Sequence, residues 1–198
     1  MKSQQELNEK MKEFDEHENR ANFYPMFMNL MNNGFIMEAY LMILSTWNIA
    51  YFQKTINKFD LNNFKNVVHG LSPYFEEVKT ETIESIEFQK YERQIKHIYD
   101  KLSEIVGVKY TGASKIMHLT NPNLYVMWDK YIRDSNGYKC EKAEDYLSFL
   151  VEMQKEFGHL KGNKNKTLAK CIDEYNYVTI TLPALELSRE KQIKKNKN

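Results

Sequence analysis

Asp129 has the setting hardest to explain by packing in this 198-residue chain. It directly follows Leu124-Tyr125-Val126-Met127-Trp128, and a carboxylate among apolar and aromatic neighbours is costly unless something compensates it. A fixed carboxylate in such a place can stabilise positive charge that builds in a reaction. It can also orient or deprotonate water, as carboxylates do in glycoside hydrolysis. The plain alternative is that Asp129 caps the helix that begins near Lys130. Upstream, Leu102 to Arg133 reads as the end of one helix, a tight turn at Gly107-Val108-Lys109, and a second short helix from about Thr111 to Leu119. A break at Asn121-Pro122 and the apolar run to Asp129 follow.

This stretch resembles the helix-hairpin-helix DNA glycosylases, the superfamily that removes damaged or modified bases. Their hairpin has the pattern Pro-Gly-Val-Gly-x-x-x-Ala, with an aspartate about sixteen or seventeen residues further on. Here the pattern falls on Val106-Gly107-Val108-Lys109-Tyr110-Thr111-Gly112-Ala113, and Asp129 lies sixteen positions past Ala113. Val106 replaces the proline, and Lys109 replaces the second glycine, where positive φ is harder for a side chain to adopt. The lysine of the lyase members falls at Thr111, so the resemblance implies a monofunctional enzyme.

The resemblance implies an all-α, two-lobed fold of roughly nine to eleven helices, with a DNA cleft between the lobes. The implied reaction is extrusion of a base and hydrolysis of its N-glycosidic bond, with Asp129 catalytic and no cofactor. Backbone N–H groups of Gly107 and Lys109, with the helix starting near Thr111, are expected to hold a DNA phosphate. Trp47 and Asn48 match the positions that wedge into the duplex and face the orphaned base; a Trp in an apolar helix is otherwise core. Tyr125, Trp128, Tyr131 and His118 are candidates for the base pocket, or else core residues. Lys115, one turn past Thr111, is either a Schiff-base nucleophile, which would make the enzyme bifunctional, or a salt-bridged or exposed lysine. The implied substrate is an oxidised or alkylated purine or a deaminated base; the chain's small size and its departures from the housekeeping pattern add a hypermodified base of invading phage DNA, with a role in antiviral defence. The rivals are a non-catalytic DNA-binding protein and a helical protein-interaction adaptor.

Composition agrees with a helical chain. Seven glycines and four prolines interrupt it rarely, and thirteen tyrosines, eleven phenylalanines and ten methionines supply apolar volume. We read residues 1–198 as a single unit, with the hairpin and catalytic region at about 83–133. No run spans a bilayer and no signal peptide is apparent, so a soluble, cytoplasmic monomer is expected. Cys140 and Cys171 are too few for an iron–sulfur cluster and lack zinc spacing, so no metal is expected. Net charge is only +1, yet residues 1–106 carry −4 and residues 107–198 carry +5. That polarity suits a face that meets phosphate, or else a solvated basic tail.

The elements that must position these residues follow from spacing. Residues 4–20 predict a polar surface helix, and Tyr24-Pro25 opens a short Met-rich helix ended by Gly34. Phe35 to about Phe52 predicts a buried helix. Asp60 starts a short helix ending at Gly70, and Ser72-Pro73 starts another. Phe88, Tyr91, Ile95, Ile98, Leu102 and Ile105 form one face of a long helix over about 83–106. Glu141 to Phe157 predicts a further helix, and residues 158–166 a basic flexible loop. Thr167 caps a helix running to about Thr181, Pro183 kinks it or begins a last helix, and Ile193 onward is a frayed basic tail.

Overall fold

The computed structural model describes residues 1–138, 140–163 and 165–195. Among them the chain is helical, with a lone bridge between Asn163 and Lys166 and no strand. Eleven α-helices are described: α1 (Gln4–His17), α2 (Phe23–Asn32), α3 (Ile36–Trp47), α4 (Ile49–Thr55), α5 (Leu61–Glu77), α6 (Phe88–Ser103), α7 (Lys109–Thr120), α8 (Lys130–Ser135), α9 (Ala143–Phe157), α10 (Leu168–Asn176) and α11 (Leu182–Lys195). No described helix is long and apolar enough to cross a membrane.

α6 is the central element. Its buried face carries Phe88, Ile95, Ile98, Tyr99 and Leu102, at the spacing that keeps side chains on one side. α5, α7 and α9 pack around it, while α1 lies on α10 and α2 on α3. Each fully buried Leu or Ile contributes roughly 1.5–3 kcal/mol by leaving water. α6 is shorter than its apolar stripe suggested. Ile83 and Ile86 are buried from a segment of turns, where Ile83 N–H donates to the carbonyl of Asn123 at 2.9 Å.

Two further helix boundaries differ from expectation. α5 runs unbroken through Gly70 and Pro73, because Phe64, Val68, Leu71 and Phe75 hold one continuous face against the core. Packing of that face outweighs the local stop signals. Conversely, the apolar segment from Phe35 to Phe52 is not one helix. It breaks at Asn48, whose backbone leaves the helical region at φ −117° and ψ 23°.

The C-terminal helices are nearly continuous. α10, capped by Thr167 as expected, passes into α11 through a π-turn at Tyr177–Thr181. There Leu182 N–H donates to the carbonyl of Tyr177, five residues back. Pro183 supplies the cause: it has no N–H for the carbonyl of residue 179 and its ring crowds that carbonyl, so the helix widens just before it. Of the expected tail, 193–195 extend α11 and 196–198 lie outside the described residues, as does Lys164 of the basic loop.

Candidate active site

Asn121 to Trp128 is the strap that delivers Asp129. The Asn121 amide donates to the carbonyls of Val78 at 2.8 Å and Glu81 at 3.0 Å, anchoring the strap's start. Leu124 through Trp128 are then buried in succession. Ser114 of α7 fixes the far end, with its hydroxyl 3.2 Å from both the N–H and the carbonyl of Trp128. Asp129 follows in extended conformation as the N-cap of α8. Its Oδ1 accepts from Ile132 N–H at 3.0 Å, and its Oδ2 accepts from the Thr181 hydroxyl at 2.8 Å. Asp129 is therefore a cap, and it also lines a cavity.

That cavity has a volume of about 660 Å³. The end of α1, the α3–α4 junction, α7, α8 and the π-turn all contribute walls. Phe14, Trp47, Tyr110, Trp128, Tyr131 and Tyr177 supply aromatic surface, with Asp129, Lys115 and Asp173 among the polar groups. A mostly apolar pocket with a few convergent polar groups is the usual form of a small-ligand site.

Lys115 is buried in the wall, and its ammonium donates to the carbonyl of Trp47. Burial pulls its pKa down to about 8, against the opposing pull of Asp129 and Asp173; Arg20 and Lys170 lower it further. The expectation of a salt-bridged or exposed lysine is not met, since its hydrogen-bond partner is a backbone carbonyl.

Paired charges surround this amine. Burial alone would raise the Glu18 carboxyl, but hydrogen bonds from Arg20 and from Tyr177 outweigh it and hold the group at about 2. Arg20 also donates to the carbonyl of Thr46 at 3.3 Å. Arg133 donates to Thr111 Oγ1 at 3.0 Å and to Glu141 at 2.7 Å. Behind Trp47, Lys170 sits 2.6 Å from Asp173 and within about 5 Å of the rings of Phe14, Tyr24 and Trp47. Burial works against its charge, yet Asp173 and Glu174 prevail and raise it above the usual lysine range.

The hairpin lies beside the cavity. Gly107 has φ +96° and Lys109 φ +54°, so both are left-handed, including the position where a lysine stands in place of glycine. A Cβ on Gly107 would meet the Phe59 ring at 2.7 Å, so this turn needs glycine twice over. The N–H of Lys109 is spent on the carbonyl of Ile105 at 3.2 Å, which removes it from the expected phosphate contact. The N–H groups of Gly107, Tyr110 and Thr111 have no acceptor among the described residues. Gly112 lets α7 approach α3, since a Cβ there would meet Leu44 at 2.9 Å.

Asn48 lines the cavity, between Trp47 and Ile49. It is buried, and its amide donates to the carbonyls of Val108 at 3.1 Å and Gly107 at 3.4 Å. It fastens the α3–α4 junction to the hairpin. Trp47 stacks on Tyr24 and meets Phe27 edge-on, a core position with one border on the cavity. Ile49 and Ala50 are exposed at that rim.

Of the four expected base-pocket residues, Trp128 and Tyr131 line the cavity, whereas His118 and Tyr125 do not. His118 is a core histidine. Its Nδ1–H donates to the carbonyl of Tyr125 at 2.6 Å and its Nε2 accepts from the Tyr24 hydroxyl at 2.9 Å. Burial lowers its pKa to about 4, so it is neutral at physiological pH. Tyr125 is sealed in the core beside it. Arg20, Glu18, Asp173, Tyr177 and Thr181 line the cavity without having been anticipated. The first two look like a solvated face in a polar helix, and the others gave no signal in the sequence beyond their nearness to Pro183.

No protein-family model matches the chain, and no curated protein or solved structure matches it.

Proposed function

We propose that the protein is a DNA glycosylase of the helix-hairpin-helix type, which takes an extruded base into the cavity and hydrolyses its N-glycosidic bond. The observation that carries this reading is the Asp129 carboxylate. It is held by two donors at the mouth of α8 and borders an aromatic-walled cavity beside a turn with two left-handed residues. In this reading the cavity lies where two lobes meet. The N–H groups of Tyr110 and Thr111 hold a backbone phosphate, with Lys109 and Lys130 supplying charge, while Gly107 is buried and shapes the turn.

The base stacks on the aromatic walls while its sugar faces Asp129. As the C1′–N bond breaks, the bonding pair leaves with the base and positive charge develops on the sugar. The carboxylate stabilises that charge, and water adds to C1′ with its proton passing to Asp129. A panel of duplexes carrying oxidised, alkylated, deaminated or hypermodified bases tests this directly. At least one is expected to yield abasic sites; a purely binding or adaptor protein yields none.

A second reading rests on Lys115. An amine with a pKa near 8, sharing the cavity with Asp129, has a sizeable neutral fraction at mildly alkaline pH. It would displace the base by attack on C1′, giving a Schiff base and then strand cleavage. Borohydride added during turnover would trap protein on DNA in that case and leave it free in the hydrolytic one.

A further inference from the structure

The Asp129 carboxylate has two points of attachment, one local and one distant in the chain. The first, Ile132 N–H on Oδ1, is the ordinary bond of an N-cap and comes with α8 itself. A carboxylate held only there still turns about its terminal torsion, which is broad and roughly two-fold. The second is the Thr181 hydroxyl on Oδ2, fifty-two residues away, from a side chain that is itself 3 % exposed. A carboxylate offers about four acceptor sites, so two donors fix its plane and leave lone pairs free for the cavity.

Thr181 owes its position to the π-turn. Tyr177 and Thr181 are the first and last residues of that segment, and both line the cavity, Tyr177 on Glu18 and Thr181 on Asp129. π-turns recur at functional sites because they re-aim side chains at the expense of regular helix bonding.

We propose that Thr181 is the positioning residue of Asp129, locking the carboxylate plane toward the sugar of the bound nucleotide; this rests on the glycosylase reading. It touches neither sugar nor base, so it acts on the chemical step through Asp129. Misplacing a reacting group by about 1 Å costs on the order of 100-fold in rate.

Thr181→Val keeps the branched shape and removes the donor, while Thr181→Ser keeps the donor. Single-turnover excision on the duplex that the wild-type protein cleaves is expected to slow about 10–100-fold in the Val variant. Duplex affinity should be unchanged, and Ser should restore most of the rate. The 13C shift of the Asp129 carboxyl should move in Val and return in Ser. Wild-type rate in the Val variant, loss of rate that merely tracks loss of DNA affinity, or an unmoved carboxyl shift would each overturn the proposal. A wild-type protein that leaves no abasic site on any modified duplex sinks the glycosylase reading instead, and the carboxyl shift still reports separately on the Thr181 contact.

Discussion

Lys115 donates its ammonium to the carbonyl of Trp47, a pairing that joins α7 to the last residue of α3. The carbonyls at a helix C-terminus carry partial negative charge, so the site suits a cation. It does not fully offset burial, which leaves the amine at about 8 against an ordinary 10.5. A lowered lysine pKa means that the charged form is disfavoured in the fold, so the cost is present below pH 8 and disappears as pH rises toward 10.5. Lys115→Met is therefore expected to be more stable than wild type at pH 7, by about 1–2 kcal/mol after the unpaired Trp47 carbonyl is counted. Chemical denaturation at pH 7 and pH 10 checks this, and the gap should narrow at the higher pH.

His118 gives the opposite end of the pH range. Its folded pKa of about 4 lies below the ordinary 6.5, so the unfolded chain binds the proton first. Its contribution is whole above pH 6.5 and is lost as pH falls through 4, amounting to about 3 kcal/mol. Denaturant midpoints measured from pH 7 to pH 4 should fall accordingly. His118→Gln, which does not titrate, should start lower and show a flatter slope.

Lys109 stands at φ +54°, a conformation that costs a non-glycine residue roughly 1 kcal/mol. Lys109→Gly is predicted to raise stability by about that amount. In the glycosylase reading it also removes a cation from the phosphate-binding turn, so DNA affinity should drop and its salt dependence should become shallower by about one counterion. A thermal melt and a salt series on one duplex measure both effects.

Much of the fold is legible in the sequence where the signal is local. The stripe from Phe88 to Leu102 marks α6, Thr167 marks the start of α10, and the Gly107 turn is plain. What stayed hidden depends on distant partners. The break at Asn48 follows from its bonds to hairpin carbonyls some sixty residues later, and α5 persists through Pro73 because its apolar face is already committed to the core. The site divides the same way. Asp129 stands out by its neighbours in sequence, whereas Thr181, Tyr177, Glu18 and Arg20 join it only through packing.

Asn48 offers a test of its placement. With its amide on the carbonyls of Gly107 and Val108, Asn48→Ala leaves the Gly107 carbonyl without a donor and the Val108 carbonyl with Gly112 N–H alone, and should destabilise the protein by about 1–3 kcal/mol. Hydrogen exchange should rise in the hairpin amides. A residue that instead faced the orphaned base would lose opposite-base preference with stability intact.

The most direct measurement compares wild type with Asp129→Asn in single-turnover excision and in duplex binding. The Asn side chain still caps α8 and still reaches Thr181, but it carries no charge to set against the developing cation. We predict abasic sites from wild type, none above background from the Asn variant, and equal duplex affinity. Equal turnover by the two proteins would contradict the assignment of Asp129.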